Sequence, residues 1–227
     1  MKFLSLCVCG AALACLLVAS ASSADRASRT RVRATLHATV SKDWDTVARI
    51  TQDGCPASVH SVGKRVVKLR SVKATNVLVS FDGARVTYSP SLVRSVRVEV
   101  VESGEQTTRT LAPCAEHVDH VRCGRSKARV EDAAFRFYRS ARNEISFRQA
   151  RLPEPAGTCP RESAVVRGLR PGLHEAEGGL SEAALMNPRI PEQTAIASAE
   201  VESDLDGDDE TGKVVERVNW ALKLARR

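Results

Sequence analysis

Strict alternation of apolar and polar residues is the feature that most limits how this chain folds. In "RATLHATV", Ala34, Leu36, Ala38 and Val40 share one phase, and Thr35, His37 and Thr39 the other. "RSVRVEVV" sets Val96, Val98 and Val100 against Arg97 and Glu99. "FRF" and "ISF" place Phe135, Phe137, Ile145 and Phe147 in alternate positions around a "SARNE" turn. Successive side chains of a strand point to opposite faces, so a period of two marks half-buried strands. Similar runs occur at "RVVKLRS", "NVLVSF", "ARVTY" and "SAVVRG", and Asp53-Gly54, Asp82-Gly83, Ser103-Gly104 and Gly178-Gly179 supply turn punctuation. The expectation is an all-β fold, an antiparallel sandwich or open barrel of short strands. The final "KVVERVNWALKLARR" fits both a helix and a strand. Its β-branched residues and the alternation of Val218, Trp220, Leu222 and Leu224 favour a strand. With only five Phe, two Trp and two Tyr, the core must be built mainly from Val, Leu, Ile and Ala.

The N-terminus joins Lys2 to an apolar run from about Leu4 to Val18 and then to the small residues "ASASSAD". That arrangement reads as a secretory signal peptide spanning residues 1–24, cleaved after Ala21 or Ala24. A run of about fifteen apolar residues is short of the roughly 20 that a membrane span needs. Lipid attachment at Cys15 is disfavoured, because the preceding "ALA" lacks a large aliphatic residue three positions before it. No other stretch is long and apolar enough to cross a bilayer as a helix, so no membrane span is expected after cleavage. Residues 25–227 are expected to form a single β-rich domain, with any sub-lobe boundary near 153–158 in "LPEPAGTCP".

Export removes Cys7, Cys9 and Cys15 and leaves Cys55, Cys114, Cys123 and Cys159. Four cysteines in an oxidising compartment imply two disulfides with three pairings open. The simplest is nested, Cys114 with Cys123 and Cys55 with Cys159. "CAEHVDHVRC" (114–123) also sets two cysteines and two histidines three residues apart, a plausible zinc or copper ligand set. A strand would split these four between its faces, and a helix would spread them over half its circumference. A disulfide-closed loop is therefore the stronger expectation, with His117 and His120 left as the alternative metal ligands.

Charge is unevenly distributed. Residues 25–170 hold 27 basic and 15 acidic side chains, a net of +12, and residues 171–227 hold 6 and 12, a net of −6. Either the C-terminal segment lies against the basic body, or the basic body meets a polyanion. Nucleic acid is disfavoured by export, which makes the arginine-rich "FRFYRSARNEISFRQARL" a hairpin with phenylalanines inside and arginines outside. An acidic envelope polymer or another envelope protein is the expected partner. "DLDGDDE" (204–210) fails the calcium-loop pattern, with Asp209 at the glycine position and Val215 at the bidentate glutamate position, and reads as an acidic turn. Ser61 and Lys64 form an isolated S-x-x-K without companion motifs. No catalytic residue and no cofactor is expected.

The order of Trp44, "DGC" at 53–55, the Cys114 to Cys123-Gly124 segment, "CP" at 159–160 and a terminal "VNWALKL" resembles uncharacterised exported β-rich proteins of high-GC Gram-positive bacteria. The resemblance implies export, two disulfides and a β architecture, and no activity. The expected function is that of an exported, disulfide-stabilised binding or cell-envelope structural protein. A metal-binding protein using His117 and His120, and a hydrolase with a site assembled from loops, stand as alternatives.

Overall fold

The computed structural model describes residues 28–82, 85–140, 142, 144–148, 173 and 176–227, with the backbone alone at 123–126. The strands are β1 (Ser28–Gln52), β2 (Cys55–Ser71), β3 (Thr75–Asp82), β4 (Arg85–Ser89), β5 (Leu92–Thr110), β6 (Val118–Arg139), β7 (Ile145–Phe147), β8 (Glu192–Asp206) and β9 (Glu210–Arg226). One short helix, α1 (Glu182–Met186), is capped by the Ser181 hydroxyl, which accepts from the Ala184 N–H at 3.3 Å. The fold is all-β and every strand pair is antiparallel. The strands are not short: β1 runs 25 residues, β6 22 and β5 19. Alternation alone did not reveal that length, because polar residues interrupt the apolar phase midway along several strands.

One edge of β1 pairs with β9 and through it β8; the other is shared by β3, along Ser28–Ala34 and leading to β4, and by β2, along His37–Gln52 and leading to β5, β6 and β7. Lys42 is opposite both Arg65 of β2 and Glu216 of β9, which places those strands on opposite edges of β1. One sheet face, carried by the even residues of β1 and β9 and the odd residues of β2, forms the core. On it Val32, Ala34, Leu36, Ala38, Val40, Leu69, Val98, Phe135, Phe137, Val218, Trp220 and Leu222 are buried. In this near half the sheet nearly closes on itself. β7 pairs Phe147 with Phe137, and Gly178 exchanges two backbone hydrogen bonds with Ile145 at 2.8 and 3.0 Å. A Cβ on Gly178 would lie 2.7 Å from the Trp220 ring and 3.0 Å from the Ile196 carbonyl, so this glycine lets the segment seat against β8 and β9.

Two expectations need correction. Ser103-Gly104 is not a turn but the interior of β5, where Gly104 sits opposite Gly63 and Cys123. A Cβ there would come 2.5 Å from the Val62 carbonyl oxygen, so close strand approach explains the glycine. The nested pairing, Cys114 with Cys123 and Cys55 with Cys159, is replaced, because Cys114 is bonded to Cys55. Cys55 follows the two-residue β1–β2 turn, and Cys114 sits in the β5–β6 loop. The β2–β5 register brings these two loops together, the Leu111 N–H reaching the Pro56 carbonyl at 2.8 Å. Cys123 lies well inside β6. Cys159, the "SAVVRG" run and the 153–158 boundary fall outside the described residues.

Other expectations hold. Asp53 and Gly54 turn the β1–β2 hairpin with φ of 53° and 79°, as a tight two-residue turn requires. The acidic segment from Gly207 to Asp209 turns β8 into β9, and β9 is the strand that alternation favoured.

Candidate functional site

The far half of the sheet contains the polar chemistry. At the level of Lys42 the core face changes from apolar to charged. Glu216, Lys42, Arg65 and Glu102 are neighbours in register across β9, β1, β2 and β5. Lys42 is 1% exposed, with its ammonium 3.8 Å from Glu216, and Arg65 donates to Glu102 through both Nε and Nη2, at 2.9 and 2.8 Å. Buried charge is tolerated because each sign meets the other. Beyond this layer Trp44 lies across Gly63, where a Cβ would be 1.9 Å from the ring, and its Nε1–H donates to the Ser61 hydroxyl at 3.1 Å. Val214 and Leu205 pack on the same indole.

The opposite, outer face has a concavity of about 650 Å3 over this region, lined by Val62, Val215, Asp43, Lys64, Glu105 and Arg122 among others. Its charges are already paired across strands. Glu200 meets Arg217 at 2.9 Å, Arg217 meets Asp43 at 3.0 Å, and Lys64 meets Asp43 at 2.9 Å. His60 is 2.7 Å from Asp45, and Lys213 is 2.6 Å from Glu202; that hydrogen bond raises the Lys213 pKa. Water and salt screen exposed pairs of this kind, so each adds little to stability. They shape the surface more than they stabilise it.

The histidines of the 114–123 segment are both exposed. His117 lies in the loop, its carbonyl accepting from the Thr110 N–H at 2.9 Å, whereas His120 is in β6 with Nδ1 3.0 Å from the Thr107 hydroxyl. Among the described residues no group of three or more His, Cys, Asp or Glu is placed to share a metal ion. Ser61 and Lys64 point to opposite faces, Ser61 inward to Trp44 and Lys64 outward to Asp43, so they do not form a nucleophile–base pair.

Towards the near end the outer face turns basic. His37, Arg70 and Arg97 lie side by side across β1, β2 and β5, flanked by Arg33 and Lys68. The net charge is legible in the sequence, but this row is not, since it depends on two strand registers at once. The "FRF…ISF" hairpin is as expected: Phe135, Phe137 and Phe147 are buried, Phe147 meets Trp220 edge-on at 4.9 Å, and Arg148 stacks over Tyr138 at 5.7 Å. No helix among the described residues is long and apolar enough to cross a membrane. No protein-family model, curated protein sequence or solved structure matches this chain.

Proposed function

We propose that the protein is exported and acts as a binding or cell-envelope structural component, engaging an acidic envelope polymer through its basic outer face. The observation that carries this reading is the row His37–Arg70–Arg97, in register across β1, β2 and β5, with Arg33 and Lys68 beside it; Arg33, Lys68 and Arg70 are exposed cations, and Arg97 is half-buried, 3.4 Å from Glu131. Export is supported by the charged, apolar and small-residue order of the first 24 residues, and by a Cys55–Cys114 disulfide of the kind that persists in oxidising compartments. The sheet supplies a surface for this role, and the polymer supplies the repeated anions.

Chromatography on an immobilised anionic polysaccharide tests the reading. The wild type is retained at low ionic strength and released by salt, and R70E/R97E elutes at markedly lower salt. Wild type that passes through at low ionic strength overturns it. Intact mass of protein recovered from culture medium checks export separately, the expected products beginning at Ser22 or Asp25.

A further inference from the structure

The far half of the molecule is a run of six strands in the order β8-β9-β1-β2-β5-β6, and among the described residues both of its outer strands are unpaired on one side. β6 is bonded to β5 alone until Phe137, and β8 to β9 alone. From Val118 to Arg122 every residue of β6 is exposed, and none from Ala199 to Asp206 of β8 is buried. Such edges expose rows of N–H and C=O groups that template pairing with another strand.

These two edges have opposite charge. On β6, Arg122, Lys127 and Arg129 stand against Asp119 between Val118 and Val130, with Arg122 3.8 Å from Glu105 and Arg129 2.8 Å from Glu131. Residues 199–206 of β8 include Glu200, Glu202, Asp204 and Asp206 and no base. Each edge also presents exposed valine, Val118, Val121 and Val130 on β6 and Val201 on β8. Like edges repel one another, and unlike edges attract. Six antiparallel strands also leave β8 and β6 running in opposite directions, so a second copy placed beside the first continues the antiparallel order without being turned over.

We infer that copies of this chain associate head to tail, the acidic β8 edge of one pairing with the basic β6 edge of the next. Such a contact is heterologous and does not close on itself unless its rotation completes a ring, so it builds chains of subunits. The inference does not depend on where the protein works or which polymer it binds.

Sedimentation velocity of the full chain, run over a range of concentrations, tests it. Between about 0.01 and 1 M salt the Debye length falls from about 30 to about 3 Å. Association is expected to grow with concentration and to weaken at least about tenfold over that salt range. E202K/D204K/D206K gives two basic edges, leaving Glu200 as the one acid from 199 to 206, and K127E/R129E gives two acidic ones, so each variant alone is expected to remain monomeric. Mixing the two restores association, which a folding defect in either variant would not allow. A wild type that stays monomeric at every concentration in low salt overturns the inference. So does association of either reversed variant at wild-type strength, or a mixture that stays monomeric.

Discussion

The two tryptophans occupy matching seats at opposite ends of one sheet face, and their surroundings differ. Trp220 lies against Gly178 among Phe147, Phe137 and the valines of the near half, its Nε1–H donating to the Ala176 carbonyl at 3.0 Å. Trp44 lies over Gly63 in a small cluster with Val214 and Leu205, and its indole N–H goes to a side-chain hydroxyl. Between them is the charged layer of Lys42, Arg65, Glu102 and Glu216. The near half is held by apolar burial, at about 1.5 to 3 kcal/mol for a fully buried valine or leucine. The far half is held by pairing: strand ladders, buried ion pairs and a disulfide.

The first way to break this contrast is Lys42→Met, which strands the Glu216 carboxylate without its near cation. Loss of one partner of a buried pair is expected to destabilise by about 3 to 5 kcal/mol, and K42M/E216L is expected to recover most of it. Urea titration of the two variants measures both. If the double variant is as unstable as the single one, the layer contributes by some route other than charge pairing.

The second concerns the far end alone. Cys55–Cys114 closes a loop of sequence separation 59, for which the chain-entropy relation gives about 4 kcal/mol. C55S/C114S is expected to lose about that much. Faster amide exchange should be concentrated at Gln52, Ala57 and Leu111 before it reaches Leu36 or Leu222.

The third sharpens the near half. Burial, reinforced by Glu182 and partly opposed by Arg139, pushes the Tyr88 hydroxyl from its ordinary value near 10 up to about 12. The folded state therefore holds this proton more tightly than the unfolded state. Its contribution is intact below pH 10 and is lost as pH rises towards 12, by about 2 to 3 kcal/mol. Tyr88→Phe is expected to flatten that part of the stability–pH curve, followed by thermal denaturation against wild type.

The near half was largely legible in the sequence. Leu36, Val40, Val98, Val218 and Trp220 were phased correctly because nothing there interrupts the alternation. Val93 was missed: Ser95, at φ 52°, lies in a bulge that returns Val93 and Val96 to the same face, so spacing of three replaces spacing of two. The far half was poorly legible for one physical reason. At the core phase beyond Val40 comes Lys42, beyond Val67 comes Arg65 and beyond Val100 comes Glu102, so each apolar run seemed to end where the strand in fact continues. A charged residue at the inward phase of four strands, all at one level, is the signal that would have extended them. The disulfide pairing was beyond reach, since it depends on which hairpin ends the sheet order makes adjacent.

The charged layer has one more consequence. A strand that alternates valine with polar residues forbids a one-residue slip, which would turn its apolar side to water, but it scarcely resists a slip of two. Shift β9 two places along β1 and apolar residues still meet apolar ones through most of the near half, Ala38 facing Val218 or Leu222 in place of Trp220. Glu216, however, would leave Lys42 and face Val40 or Trp44, and a buried carboxylate would lose its cation. The four charges thus act as a key tooth: they assign each long, repetitive strand one depth of insertion and exclude the neighbouring ones that apolar packing alone would accept.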